Sequence, residues 1–321
     1  MTPLSGFLAV DLSRYVPGAF AARELRRLGA RVVRLEPPEG DPMRHTAPAW
    51  HEALNDGSES VVCDLKAEPE FGRALCARAD VVLESFRPGV TTRLGLGPED
   101  LPETVVYCSI TGFGAEGPHS QRAGHDLNYL GWAGVLEDTA PGLPPVQVAD
   151  LAAGALGAVT EILAALLERQ RTGRGRHIVV SMTHGSHRLA AHRLGGDPLP
   201  RLLTGGLASY RIYATADGRR LTLGALEPKF FGRLCELVGR PDLAERQYDA
   251  EAQTELEAAL AAVFRTRPLA DWLARFDDED VCVGPVATLE EAATEFGEPA
   301  PRVGSPGLGE QTEEWRRQLG L

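Results

Sequence analysis

The sequence predicts an α/β fold in which an open parallel sheet carries packed helices and a small α+β domain follows. Three observations point to it. Near the N-terminus an apolar strand, an amphipathic helix and a second apolar strand follow one another, a βαβ unit that requires a parallel pair with a right-handed crossover. The same alternation of short apolar runs and helical periods continues to about residue 180. Beyond it, two alternating runs flank Asp217-Gly218, which is a hairpin signal, and three amphipathic segments follow.

The first strand is expected over residues 7–12, a helix over 17–28 and the second strand over 30–35. Residues 36–58, rich in Pro, Gly and charge, read as an irregular surface segment. Strand 61–63, helix 70–79, strands 81–86 and 105–111, helix 150–170 and strand 178–180 continue the rhythm. The turn after the first strand lacks the GxGxxG pattern, which argues against a dinucleotide. Arg34, Glu36, Arg87 and Thr111 fall at C-terminal strand ends, where open α/β sheets bind their ligands. From residue 184 to 206 the period lapses, marking a linker, and strands 210–215 and 219–225 with helices 228–238, 255–264 and 269–276 form the second domain.

The chain has 321 residues, enough for a sizeable core and two domains. With 33 basic and 45 acidic residues its net charge is −12, which disfavours nucleic acid or an anionic membrane as a partner. Its apolar runs read as too short to span a bilayer and its start shows no signal region, so a cytoplasmic protein is expected. The five cysteines lack a CxxC pair and read mostly as small hydrophobes, and no disulfide is expected. His184, His187 and His192 have no acidic or thiol companions and read as incidental, so no metal site is expected.

Residues 124–155 contain two short polar clusters, Gly124-His125-Asp126 and Val148-Ala149-Asp150, each followed at once by an apolar helical run. His125 and Asp150 therefore sit near helix starts, where backbone N–H groups are unpaired and negative charge is favoured. Taken alone, Asp150 reads as a helix cap, and Glu227 before Pro228 reads the same way.

The strings GHDLNYLGWAGVL, VADLAAGAL and LGALEPKFF, in that order, resemble the α-methylacyl-CoA racemase branch of the family III CoA-transferases. The likeness extends to CDLK, FRPGVTTRLGLG, SITGFGAEGP and the C-terminal tail, and so covers nearly the whole chain. It implies a Rossmann-like large domain over residues 1–184 with a C-terminal return over 295–321, a linker at 185–206, a small domain at 207–290, and an interlaced homodimer. It also implies a racemase or epimerase acting on a 2-methyl-branched acyl thioester. Inversion of that carbon needs one acid/base group on each face and donors for the enolate oxygen. The resemblance assigns His125 and Asp150 to the two faces, Glu227 to the imidazole, and the backbone N–H of Asp126 to the enolate. It further implies Arg34 and Arg44 near the CoA diphosphate, Lys66 beside the adenosine, and Arg87 and Arg93 along the rest of CoA, with Gly131, Trp132 and Leu136 near the acyl chain. Coenzyme A enters as part of the substrate, and no separate cofactor is expected. Two other readings share the scaffold: a CoA-transferase using Asp150 as a nucleophile, and a non-catalytic or carrier-protein-directed relative that binds acyl thioesters. Asp56 and Glu59 stand where relatives carry cations, and two carboxylates there are expected to weaken the contact with a CoA phosphate.

Overall fold

A computed structural model describes residues 2–196, 199, 201–297 and 303–321. The described residues fall into two compact units, one within 2–191 and 303–321 and the other within 192–297.

In the first unit, six parallel strands lie in the order β3-β2-β1-β4-β5-β6. They are β1 (Leu8–Asp11), β2 (Arg31–Glu36), β3 (Glu59–Val62), β4 (Val81–Glu84), β5 (Val106–Thr111) and β6 (His177–Ser181). The order reverses between β1 and β4, and a crevice opens at such a switch point beyond the C-terminal strand ends. The central strands β1, β4 and β5 read as mostly apolar runs because both faces are covered. On one face Ala9, Val32, Leu83, Val106 and Ile178 pack against α1 (Tyr15–Arg27) and later helices; on the other Val10, Val33, Val61 and Tyr107 pack beneath Phe71, Leu75 and Trp315.

The expectation of an irregular segment at 36–58 is corrected. It holds α2 (Met43–Thr46) and α3 (Pro48–Asn55), whose sequence signal is weak because α3 buries His51 and Asn55 and no aliphatic stripe. After α4 (Pro69–Ala77) and α5 (Val90–Arg93), the exit from β5 leads to α6 (Asp126–Trp132). A π-helical stretch, Ala149–Leu156, then runs directly into α7 (Gly157–Thr172). Together they make one helix, Ala149–Thr172, that is long and apolar enough to cross a membrane, which corrects the reading of the apolar runs as too short. Here its Ala149, Ala155, Ala158 and Ile162 are core residues against the sheet. The expected linker begins inside α8 (Met182–Ala190), whose buried side of Met182, Thr183 and Ser186 is too polar to mark a helix in the sequence.

The tail returns to the first unit through α13 (Thr312–Leu319), numbered after the helices of the second unit. Asp56 accepts the Val303 and Gly304 N–H groups at 2.9 and 2.8 Å and pairs with Arg26 at 3.0 Å. Glu59 pairs with Arg31 at 2.6 Å and accepts the Trp315 indole N–H at 2.8 Å. The two carboxylates are thus occupied in pinning the tail.

The second unit is a three-stranded antiparallel sheet of β7 (Tyr210–Ala214), β8 (Arg220–Gly224) and β9 (Val283–Pro285) with α9 (Pro228–Leu237), α10 (Gln253–Phe264), α11 (Leu269–Phe276) and α12 (Leu289–Phe296). The hairpin turns at Gly218 with φ +75°, a conformation glycine adopts without strain. Phe231, Leu256, Phe264 and Trp272 fill its core.

Candidate functional site

Two clefts lie over the C-terminal strand ends of the first unit. One, of about 310 Å³, is lined by residues that leave β1, β2 and β3, among them Ser13, Glu36, Asp64 and Lys66. The other, of about 490 Å³, is lined from β1, β4 and β5 and contains both His125 and Asp150. Arg14 and Phe86 line both clefts, which places the two side by side at the switch point.

His125 precedes α6 in extended conformation, and its backbone N–H is held by Asn128 Oδ1 at 3.0 Å. Its exposed ring bonds to none of the described residues. The neighbouring glycine is required by sterics: a Cβ at Gly124 would lie 2.7 Å from the Tyr129 ring, whose hydroxyl donates to the Gly124 carbonyl at 2.6 Å. Tyr129 thereby fixes the loop that presents the imidazole.

Asp150 lies in the first turn of the π-helical stretch, a local widening found often at functional sites. Asp126 Oδ1 accepts the Asp150 N–H at 2.9 Å, so one motif positions the other. Burial, reinforced by the Asp126 charge, pushes the Asp150 carboxyl up to about 7. At neutral pH it is populated both as acid and as base, the condition a proton-transfer group needs.

The expected CoA contacts divide sharply. Arg34 is 1 % exposed and bonds Asp11 at 2.9 Å, Asp41 at 2.7 Å and the Ser13 carbonyl at 3.1 Å. Burial works against its charge, but Asp11, Asp41 and Glu36 outweigh that and raise its pKa. Arg44 binds Glu36 through two nitrogens at 2.8 and 2.7 Å. Burial alone would raise Glu36, yet Arg44, Ser60 and the Asp41 N–H bring it down to about 2. Both arginines are thus paired with carboxylates in the wall of the smaller cleft, which Arg34 itself lines. Lys66 does line this cleft and is exposed, and Arg87 lines the larger one. Arg93 lines neither and folds toward Gly89, while Trp132, which lines neither, is 55 % exposed and packs against His119. Gly131 and Leu136 also stand outside both linings.

Sequence reading missed Arg14 and Arg122, both of which line the His125–Asp150 cleft, and Tyr15, held there at φ +65°. It also missed Glu84 at the end of β4. Glu84 is buried, accepts the Phe86 N–H at 2.7 Å and bonds Ser109, whose hydroxyl lies 3.0 Å from His177 Nε2. Burial pushes Glu84 up to about 7 against those hydrogen bonds. The folded chain keeps a proton that the unfolded chain has released, so this group's contribution to stability declines as pH rises from about 4.5 through 7. Glu84→Gln is expected to remove that slope and raise stability at pH 8 by about 1–3 kcal/mol, measured by thermal melts at pH 5 and pH 8.

In the second unit Glu227 precedes Pro228 at the start of α9 and makes no side-chain cap. Its exposed carboxylate adds to burial in raising the Cys282 thiol. Gln247 holds the turn before it, donating to the Ala225 and Leu226 carbonyls at 2.9 and 2.8 Å.

Comparison with known proteins places these features in a family. The chain is 37 % identical over 308 residues to the alpha-methylacyl-CoA racemase of Homo sapiens, spanning 90 % of this chain and 78 % of that protein. It is 31 % identical over 327 residues to the succinyl-CoA:glutarate CoA-transferase of Mus musculus, spanning 92 % of this chain and 74 % of that one. Among solved structures, a CAIB/BAIF family protein from Brucella suis superposes with TM-score 0.83 at 28 % identity, covering 99 % of both chains. Racemases and transferases stand at comparable distances, so the branch is left to the chemistry of the site. The description of CoA-transferase family III matches residues 4–298, and the chain belongs to that family.

Proposed function

We propose that this protein inverts the α-carbon of a 2-methyl-branched acyl-CoA by proton transfer through an enolate. As a member of its family it is an enzyme handling acyl-CoA. The observation that carries the finer reading is that His125 and Asp150 open onto one cleft and that the Asp150 carboxyl is poised near neutrality. One group removes the α-proton as the other returns a proton to the opposite face, and the roles exchange in the reverse direction. The backbone N–H of Asp126 is the proposed donor to the enolate oxygen. Glu227 is the proposed partner of the imidazole in an interlaced homodimer. The nucleotide of CoA is proposed to lie in the smaller cleft beside Lys66, with Arg87 and Arg14 along the path to the larger one.

The test is deuterium incorporation at the α-carbon of 2-methylacyl-CoA in D₂O, expected to fall by about 10²–10⁴-fold in both His125→Ala and Asp150→Ala. A second reading has its own support in the transferase names of several relatives, including the succinyl-CoA:glutarate enzyme. It makes Asp150 a nucleophile that carries the acyl group, and it predicts exchange of labelled CoA together with an adduct at Asp150 that hydroxylamine cleaves.

A further inference from the structure

Many arginines of this chain are held by carboxylates. Arg26, Arg31, Arg34, Arg44, Arg169, Arg219, Arg233 and Arg240 all sit in ion pairs of 3.0 Å or less. The cleft of His125 and Asp150 gathers three that are not. Arg14, Arg87 and Arg122 all line it, and no carboxylate pairs with any of them among the described residues. In a chain of net charge −12 that is a local excess of positive charge, and Asp150, half-protonated near pH 7, offsets little of it.

The three arginines differ in where they stand. Arg14 lines both clefts and lies over the Phe86 ring at 5.8 Å, and Arg87 follows the same strand end, so both belong to the path along which CoA is proposed to run. Arg122 lines only the larger cleft. It sits on the loop that presents the imidazole, three residues before His125. Its guanidinium carbon lies over the Trp132 ring at 5.3 Å, and none of its N–H donors is taken by a carboxylate among the described residues. The planar fork of those donors matches a carboxylate.

We infer that Arg122 reads a carboxylate on the acyl group, so that the substrate is the thioester of a branched dicarboxylic acid in preference to a neutral fatty acid. The inference rests on the acyl-thioester reading of the cleft but not on which reaction follows. A neutral acyl tail gains nothing from the exposed Arg122 cation, which water solvates, whereas a terminal carboxylate gains a charge-assisted, two-pronged contact.

The experiment compares 2-methylsuccinyl-CoA with 2-methylbutanoyl-CoA, which have the same carbon skeleton and differ by carboxylate against methyl at the chain end. Dissociation constants are measured by calorimetry on the full chain, and α-deuteration is followed on both. The ratio of the two constants cancels whatever the CoA portion contributes. The carboxylate is expected to bind about 10-fold tighter or better. In Arg122→Gln the ratio collapses toward one, and in Arg122→Lys part of it survives. Equal binding by the wild type, or a preference that Arg122→Gln leaves intact, overturns the inference. The two readings fail separately. A carboxylate preference without α-deuteration sinks the racemase chemistry and keeps the assignment of Arg122; α-deuteration of both thioesters without a preference does the reverse.

Discussion

Asp150→Asn is expected to lose α-proton exchange by about 10²–10⁴-fold and at the same time to make the chain more stable at neutral and alkaline pH. The two effects have one origin. Burial beside Asp126 raises the Asp150 carboxyl from the ordinary carboxylate range to about 7. Folding therefore favours the protonated form, and stability falls as pH rises from about 4 through 7, where the unfolded chain is ionised and the folded one resists ionising. An amide keeps the shape and never ionises. At pH 8 the gain is on the order of 2–4 kcal/mol, while at pH 4 it is near zero. Urea titrations of both proteins at the two pH values measure it. The backbone contact from Asp126 survives the substitution, so a loss of activity would not come from a displaced helix. Equal stabilities at pH 8 would show that the carboxyl is not held against its charge.

Arg34→Ala is expected to be the most damaging single change to the fold, costing about 3–5 kcal/mol. It strips Asp11 and Asp41 of the cation they share at 2.9 and 2.7 Å, and all three side chains are almost wholly out of solvent. The cost comes from stranded carboxylates more than from the lost pair, so adding Asp11→Asn and Asp41→Asn to the same chain should return part of it. Thermal melts measure it, and a variant that melts at the wild-type temperature would contradict it.

Much of this architecture was legible in the sequence because its strands are buried on both faces. Val10, Val33, Val82 and Tyr107 face one layer and Ala9, Val32, Leu83 and Val106 the other, and such strands write themselves as unbroken apolar runs. The helices α3 and α8 were hidden for the opposite reason. Their buried sides carry His51 and Asn55, or Thr183 and Ser186, and no periodic aliphatic stripe announces them. The long helix 149–172 was read correctly as a helix, but its apolar length was underestimated.

At the site, the motif order singled out His125 and Asp150, and the fold brings both to one cleft. What the sequence does not carry is the list of partners. Arg34, Arg44 and Lys66 look alike in a string of letters, and only the placement of Asp11, Asp41 and Glu36 shows that the first two are neutralised within the wall. The same blindness hid Arg14 and Arg122, whose importance lies in having no carboxylate beside them. Nor does the sequence show the partners of Asp56 and Glu59, because Arg26, Arg31, Trp315 and the tail that claim them lie far away in the chain.

The proposed inversion requires an imidazole and a carboxyl to work on opposite faces of one carbon. A single turnover of each enantiomer of 2-methylacyl-CoA in D₂O, read by mass and chiral separation, tests it most directly. The account predicts an inverted product from either enantiomer with deuterium at the α-position, and the loss of that product in His125→Ala and Asp150→Ala alike. An α-hydrogen that stays in place while labelled CoA exchanges and hydroxylamine releases an acyl group from Asp150 would contradict it.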